Sequence, residues 1–177
     1  MKILILILLA LLPCMGFTQK KILLDLTPVN FTIRNAGFNV KGTIEGLKGF
    51  MLLDNQSSIL IGIEGSVDPG TIQTGIELRD EHLKKVNYFN VKEFPKIFMA
   101  STKIKKTDSD NYIGNFSLTI KGITKGISVP FTFSVMNNVY ALKGAFSINR
   151  LDFKLGEKSI ILSNNVKINI EFKGKPQ

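Results

Sequence analysis

What the chain lacks limits its chemistry before any motif is considered. It has one cysteine, one histidine and no tryptophan. The cysteine, Cys14, lies in the apolar start of the chain, so the remainder can form neither a disulfide nor a thiol nucleophile. Asp80, Glu81 and His82 are consecutive and, on a helix, would point about 100° apart, so they cannot converge on one ion. We therefore expect no metal and no other cofactor.

Catalytic constellations are missing as well. A Ser–His–Asp triad would have to use His82, but no G-x-S-x-G motif occurs. Acidic residues are sparse, and Asp80 and Asp152 each have an arginine close in sequence, so charge pairing is the simpler account of them. His82 is then a polar or hydrogen-bonded structural residue. We predict that the protein is not an enzyme.

The first 18 residues predict an export signal. Lys2 is followed by an almost unbroken apolar run over residues 3–12, the length of a secretory signal core and too short to span a membrane. Small residues allow cleavage after Gly16 or after Thr18, and we favour the second site. The mature chain, residues 19–177, is then long enough for one domain.

A lipoprotein signal with Cys14 as the acceptor is the alternative. Pro13 stands where such signals need a small residue, so we favour the secretory signal. Export without disulfides indicates a bacterial periplasm or the cell surface. We expect a periplasmic or secreted protein.

The mature chain is basic, but its charge does not indicate nucleic acid. Of 23 Lys and Arg residues, Lys2 leaves with the signal, so 22 stand against 14 acids, a net charge of +8. Arg34, Arg79 and Arg150 are far apart, whereas a nucleic-acid site predicts a clustered basic patch or an aromatic motif. Weak, salt-dependent contact with an anionic membrane surface remains open.

The body of the chain alternates apolar and polar residues with period two, which is typical of half-buried antiparallel strands. Within the segment 59–67 this pattern places Ile59, Ile61 and Ile63 on the inner face. Asn137-Asn138 predicts a two-residue hairpin turn, because asparagine tolerates positive φ. We predict about eight strands, over residues 29–34, 38–54, 59–67, 96–105, 112–120, 127–135, 140–148 and 166–172.

These strands could form a sandwich or a closed barrel. Gly42, Gly46 and Gly49 favour the barrel, because glycine inside a strand often marks a bend at a barrel corner. The inner face is also bulky and aromatic, and an eight-stranded barrel is just wide enough to be filled by side chains or to hold one small ligand. We predict an all-β fold, an eight-stranded antiparallel barrel.

One segment, residues 75–86, predicts a short helix between strands. Thr74 and Glu77 have the spacing of a capping box. Acids stand four residues before Lys84 and Lys85, and the partial apolar face is formed by Leu78, Leu83 and Val86. An aromatic tail follows, so the helix and its tail are expected to form a lid over the barrel; the tail comprises Tyr88, Phe89, Phe94 and Phe98.

Several motifs, in order, resemble the YceI-like family of secreted bacterial proteins. The run RDEHLKKVNYFNVKEFPKIFMAST at residues 79–102 resembles the hallmark segment of that family, and the lead-in SVDPGTIQTG at 66–75 fits it. GNFSLTIKGITK at 114–125, INRLDF at 148–153 and VKINI at 166–170 are similar to later family signatures. The resemblance covers roughly residues 27–173. Lys154 departs from the family pattern, which has glycine there, and Asn35 stands where histidine is common.

The resemblance implies a lipocalin-like barrel with a long apolar tunnel that holds an isoprenoid-type lipid, such as a polyprenyl chain, a quinone or a related amphiphile. It implies a carrier and not an enzyme, and dimers occur in the family, which leaves a homodimer open. Arg79, His82 and Arg150 are candidates for contact with a head group or for holding the lid. The candidates for the tunnel and its mouth are Phe89, Phe94, Phe98, Phe116, Leu118, Phe131, Phe133 and Phe146.

The alternative is a filled-core envelope or stress-related β-protein that acts through its surface without a lipid ligand. Inward phenylalanines at strand spacing form a core more often than a ligand wall. Only the resemblance favours the tunnel over this alternative.

Overall fold

The computed structural model describes residues 19–176; the predicted export signal and Cys14 lie outside these residues. The described chain contains one α-helix, α1 (Glu77–Leu83), and two short 3₁₀ turns, Pro69–Thr71 and Arg150–Phe153. No helix in this part of the chain is long and apolar enough to cross a membrane. Its ten strands are β1 (Gln19–Leu24), β2 (Val29–Asn35), β3 (Phe38–Ile44), β4 (Lys48–Asp54), β5 (Leu60–Val67), β6 (Ile97–Lys106), β7 (Asn111–Ile120), β8 (Ile123–Met136), β9 (Val139–Asn149) and β10 (Leu162–Pro176).

The strands close into an antiparallel barrel of eight positions. The ring runs β1-β4-β5-β6-β7-β8-β9-β10 and closes where β10 pairs with β1. The long strand β10 pairs with β9 along one edge, and its other edge pairs with β2 in its first half and with β1 at its end. The predicted eight-stranded antiparallel barrel is confirmed.

At two of the eight places around the barrel, two strands that follow each other in the chain take the place of one: β1 and β2 share one place, and β3 and β4 share the next. The predicted strand 38–54 is broken into β3, which pairs with β2, and β4, which pairs with β1. The break includes Gly46, whose φ of 74° lies in the left-handed region that glycine adopts without strain. The prediction of one continuous strand over residues 38–54 is therefore wrong, although one of the three glycines taken to mark a bend lies at the break. β1 lies ahead of the first strand that the alternation predicts.

The inner face predicted for the start of β5 is wrong. The register between β4 and β5 shifts where Leu52 pairs with Gly62 and Leu53 with Leu60, so Ile61 is an extra residue in the ladder. Leu60 is consequently buried, and Ile59 and Ile61 are exposed. Beyond the bulge, Ile63 faces inward as expected.

One end of the barrel is closed by packed side chains. Phe133 lies between two tyrosine rings there, with centroids 5.8 Å away at Tyr112 and 6.4 Å away at Tyr140. The predicted turn at this end is confirmed, because Met136 pairs with Val139 across Asn137 (φ 49°) and Asn138 (φ 63°). The remaining buried members of this end are Ile22, Met51, Leu53 and Leu60.

The opposite end carries the β2–β3 and β7–β8 turns and the two longest connections, residues 68–96 and 150–161. The first connection contains α1, which is shorter than the predicted 75–86. The capping box is wrong: Ile76 is the N-cap, and the Thr74 amide and hydroxyl instead donate to Asp80 Oδ1, the amide at 2.9 Å. Lys84 pairs with Glu81 at 2.7 Å, three residues away.

Candidate functional site

The open half of the barrel contains a cavity of about 400 Å³. Its walls are almost entirely apolar and come from most of the strands, from α1 and from the connection that precedes β10. Small-molecule sites in proteins have volumes of roughly 300–1,000 Å³ and mostly apolar linings. The cavity therefore has the size and character of a ligand site.

The floor of the cavity is the boundary with the packed end. Phe116, Phe131 and Leu142, from three neighbouring strands, are buried and line this floor. Phe131 stacks on Tyr112 at a centroid distance of 5.5 Å, so its other side rests on the closed-end core. The side chains of the floor are thus supported from below by this aromatic packing.

Strand β2 forms much of one wall. Val29, Phe31 and Ile33 alternate along it and all face the cavity. The Phe31 ring lies over Gly42 of the paired strand β3, where an added Cβ would overlap the ring. Gly42 is thus needed for close approach and not for its backbone conformation.

Five of the eight predicted apolar site residues line the cavity: Phe89, Phe116, Leu118, Phe131 and Phe146. The other three lie elsewhere. Phe133 belongs to the closed end, two residues further from the mouth than Phe131 on β8. Phe94 packs its ring over Gly122 in the β7–β8 turn. Phe98 faces outward on β6, while its neighbours Ile97 and Met99 line the cavity.

Polar side chains occur at the mouth, where α1 meets the rim. Arg79 Nε donates to Thr74 Oγ1 at 2.6 Å and its Nη2 donates to the Thr74 carbonyl at 2.7 Å. Since Thr74 also donates to Asp80, it connects Arg79 with Asp80 in place of the expected direct pairing. His82 contacts Tyr88 edge-on at a centroid distance of 5.0 Å, and both line the cavity.

Arg150 is the one buried charged residue of the described chain, with 2% of its surface exposed. Its guanidinium donates to the carbonyls of Ser163 (3.0 Å), Leu155 (2.7 Å) and Glu157 (2.7 Å) and to Asn164 Oδ1 (3.1 Å). Within residues 19–176 it forms no ion pair, so the expected pairing with Asp152 is absent. Its charge is stabilised by carbonyl dipoles, and it fixes the connection that forms one side of the mouth.

The two departures from the family pattern also lie at this end. Lys154 follows the 3₁₀ turn with φ 53°, the left-handed conformation in which glycine is least strained. Its carbonyl accepts a hydrogen bond from Lys121 Nζ at 3.1 Å, and the same ammonium group donates to the Val86 carbonyl at 2.7 Å. Asn35, at the end of β2, lines the rim of the cavity.

Several wall residues have no role predicted from the sequence. Those on β2 carry a signal, because Val29, Phe31 and Ile33 alternate with polar residues in a predicted strand. Ile72 and Leu155 carry none, since they lie in connections whose path the alternation does not describe. In the part of the chain that the structure describes, no group of three His, Cys, Asp or Glu side chains is placed to hold a metal ion.

An antiparallel barrel with a packed end, an apolar cavity and a partly covered mouth defines the class of small-ligand-binding barrels. Within this class the family is shown by sequence: the profile of the YceI-like domain matches residues 22–174. The chain belongs to the YceI-like family, as its motifs indicate.

Individual relatives are distant. A UPF0312 protein of Enterobacter sp. strain 638 is 30% identical over 103 residues, which cover 57% of this chain and 53% of the relative. Protein YceI of Salmonella arizonae is 29% identical over the same length, with the same coverage of both chains. The chain matches about half the length of these curated relatives.

Solved structures share the fold. BcnA of Burkholderia cenocepacia superposes with a TM-score of 0.77 at 18% identity, over 84% of this chain and 99% of that chain. The Campylobacter jejuni YceI protein gives 0.73 at 23% identity, over 79% and 86%. A polyisoprenoid-binding domain from Saccharophagus degradans, implicated in plant cell wall breakdown, gives 0.71 at 12% identity, over 90% and 100%.

Proposed function

We propose that the protein binds an isoprenoid-type lipid, such as a polyprenyl chain, a quinone or a related amphiphile, with the apolar tail in the barrel cavity. The cavity is the observation that carries this proposal. A lipid tail in water exposes apolar surface, and each methylene group that enters an apolar cavity gains about 0.8 kcal/mol. The polyisoprenoid-binding domain from Saccharophagus degradans, which has the same fold, supports this ligand class.

The cavity also favours lipid binding over the filled-core alternative. A filled core requires inward side chains to meet along the whole barrel, as they do around Phe133 at the closed end. Beyond Phe131 the opposing walls do not meet, and about 400 Å³ stays open. Protein interiors rarely leave such a volume unfilled without a ligand, because lost packing contacts destabilise the fold.

We place the polar head group of the lipid at the mouth, near Arg79 and His82. Both line the cavity on the side of α1. Arg79 donates to Thr74 through Nε and Nη2, which leaves the N–H groups of Nη1 for a head group, and the His82 ring also carries an N–H donor. The tail would then point toward Phe131 on the floor. Arg150 is assigned to holding the mouth connection, because its donors are already engaged by three carbonyls and an amide oxygen.

The proposed role is that of an exported carrier. The apolar run at residues 3–12 supports export to the periplasm or the outside of the cell, where a lipid tail needs protection from water. Binding and release without chemical conversion fit a site whose polar residues are few and are largely engaged with one another.

The test is recovery of the ligand from the protein. Native mass spectrometry of the purified mature chain is expected to show a bound species that organic extraction identifies as a long-chain isoprenoid lipid. Lipid-free protein should then rebind a prenylated quinone that is added in detergent, with the detergent below its critical micelle concentration. A purified protein that carries no lipid and takes up no prenylated quinone would refute the proposal.

A further inference from the structure

Large apolar side chains project into solvent around the mouth of the cavity. Phe38 is 77% exposed, Leu78 is 83% exposed and Ile160 is fully exposed. They come from three different segments: the start of β3 next to the β2–β3 turn, the first turn of α1 and the connection before β10. Each exposes apolar surface that the fold itself does not cover.

These three segments belong to one rim. The Ala36 amide donates to the Ile161 carbonyl at 2.8 Å, which joins the β2–β3 turn to the connection before β10. The Gly156 amide donates to the Asn87 carbonyl at 2.7 Å, which joins that connection to the segment after α1. Phe38, Leu78 and Ile160 therefore lie around the entrance, whereas other exposed apolar side chains, such as Met136 beside the β8–β9 turn, lie elsewhere on the barrel.

Phe38 extends the interior surface beyond the entrance. It has the same parity on β3 as Val40 and Ile44, which line the cavity. On α1, Leu78 stands one turn from His82, another cavity residue. Along β3, an apolar surface thus continues from the cavity wall to the outside.

The rim beside Phe38 and Ile160 is basic. Arg34 and Lys41 flank the β2–β3 turn, and Lys154 and Lys158 lie in the connection before β10, where Glu157 is the only acid between residues 153 and 162. Such charge attracts an anionic surface and repels a second copy of the same rim. Exposed apolar groups flanked by lysine and arginine are the features that hold proteins at anionic lipid interfaces.

We propose that this rim docks the protein on an anionic phospholipid surface, with Phe38 and Ile160 inserted into the interface and the cavity mouth facing the bilayer. The lipid then passes between bilayer and cavity without crossing water. This inference rests on the proposed lipid-binding function, but it concerns a different surface from the cavity wall.

Vesicle flotation tests the docking. The mature protein is expected to float with vesicles of equal parts phosphatidylglycerol and phosphatidylcholine, to float less as salt is raised, and to stay unbound with pure phosphatidylcholine. Phe38→Ser and Ile160→Ser should each weaken binding about tenfold, the loss expected for one inserted apolar side chain. Lys158→Gln should weaken it about fivefold.

Matched controls lie at the other end of the barrel. Met136 is 73% exposed beside the β8–β9 turn, so Met136→Ser removes a comparable apolar group without touching the rim. Lys105→Gln removes an exposed lysine near the closed end of β6. Both controls are expected to bind vesicles as the wild type does.

The inference is overturned if the wild type does not bind anionic vesicles or if Met136→Ser weakens binding as much as Phe38→Ser does. It is also overturned if sedimentation shows a dimer that Phe38→Ser abolishes, because the exposed residues would then form a dimer interface. Co-purifying lipid is measured for every protein. Retained lipid without vesicle binding refutes only the docking, whereas vesicle binding by a protein that neither carries lipid nor takes up a prenylated quinone refutes the proposed function.

Discussion

Replacing Gly65 with leucine would fill part of the cavity from its own wall. Gly65 lies on β5 and lines the cavity, and a Cβ built there would be 3.7 Å from Leu47 Cδ1 and 3.7 Å from the Lys48 carbonyl oxygen. These are ordinary contacts, so the new side chain can enter the open space without displacing the strand. The same position is therefore suited to test both the cavity and its ligand.

The lipid-free Gly65→Leu protein should be more stable than the wild type. Burying a leucine side chain contributes roughly 1.5–3 kcal/mol. Removing the backbone freedom of glycine adds roughly 0.5–1 kcal/mol, which a leucine side-chain entropy cost of about the same size offsets. We expect a gain of about 2 kcal/mol in the free energy of unfolding, measured by urea denaturation of delipidated protein.

Lipid binding should change in the opposite direction. The four carbon atoms of the leucine side chain displace roughly four methylene groups of the ligand, each worth about 0.8 kcal/mol. The loss of about 3 kcal/mol corresponds to an affinity about 150-fold weaker. Native mass spectrometry should therefore find little bound lipid in this variant.

The control is Gly126→Leu, which makes the same substitution outside the cavity. Gly126 is exposed on β8, and a Cβ there would have no neighbour within 4 Å. This variant should keep its lipid. If Gly65→Leu also keeps a full complement of lipid, the cavity is not the binding site; if it loses stability, the space beside Gly65 is not open as described.

Three further predictions concern stability. Phe133→Ala should lower the free energy of unfolding by about 3–5 kcal/mol because it leaves a hole in the packed end. Phe146→Ala should lower it by less than half as much because it only enlarges an existing cavity. Chemical denaturation of both lipid-free variants compares them, and equal losses would contradict the division of the barrel into a packed and an open half. Lys154→Gly should raise the free energy of unfolding by about 0.5–1 kcal/mol, because glycine adopts the left-handed conformation of this residue without strain. An unchanged midpoint of urea denaturation would argue against strain at this residue. Hydrogen bonds from the Ser57 amide and hydroxyl hold the pKa of Asp54 below its usual value of 3.8, so Asp54→Asn should lower the free energy of unfolding at neutral pH. The difference in unfolding free energy between variant and wild type should disappear as the pH falls below 3.8 and through the lowered pKa. A difference that persists at the lowest pH would refute this account.

The sequence alone determined most of the strands, the hairpin turn at Asn137-Asn138 and the family, but it predicted neither β1 nor the division of residues 38–54 into β3 and β4. Alternation is a local property that follows from the opposite directions of successive side chains along a strand, so it predicts which face of β7, β8 and β9 lies inside. Gly46 indicated a bend in the predicted strand 38–54, but not the break that separates β3 from β4. Family motifs then identified the barrel that these strands form.

Only the tertiary structure decided where the barrel is full and where it is open. Phe131 and Phe133 have the same parity on β8, yet the first lines the cavity and the second is packed between tyrosines. Alternation predicts which side chains of a strand face the interior. It does not predict where along the barrel axis the interior is filled, because that depends on the distance between opposing strands. The bulge at Ile61 has the same origin, because register is a property of two paired strands and not of one.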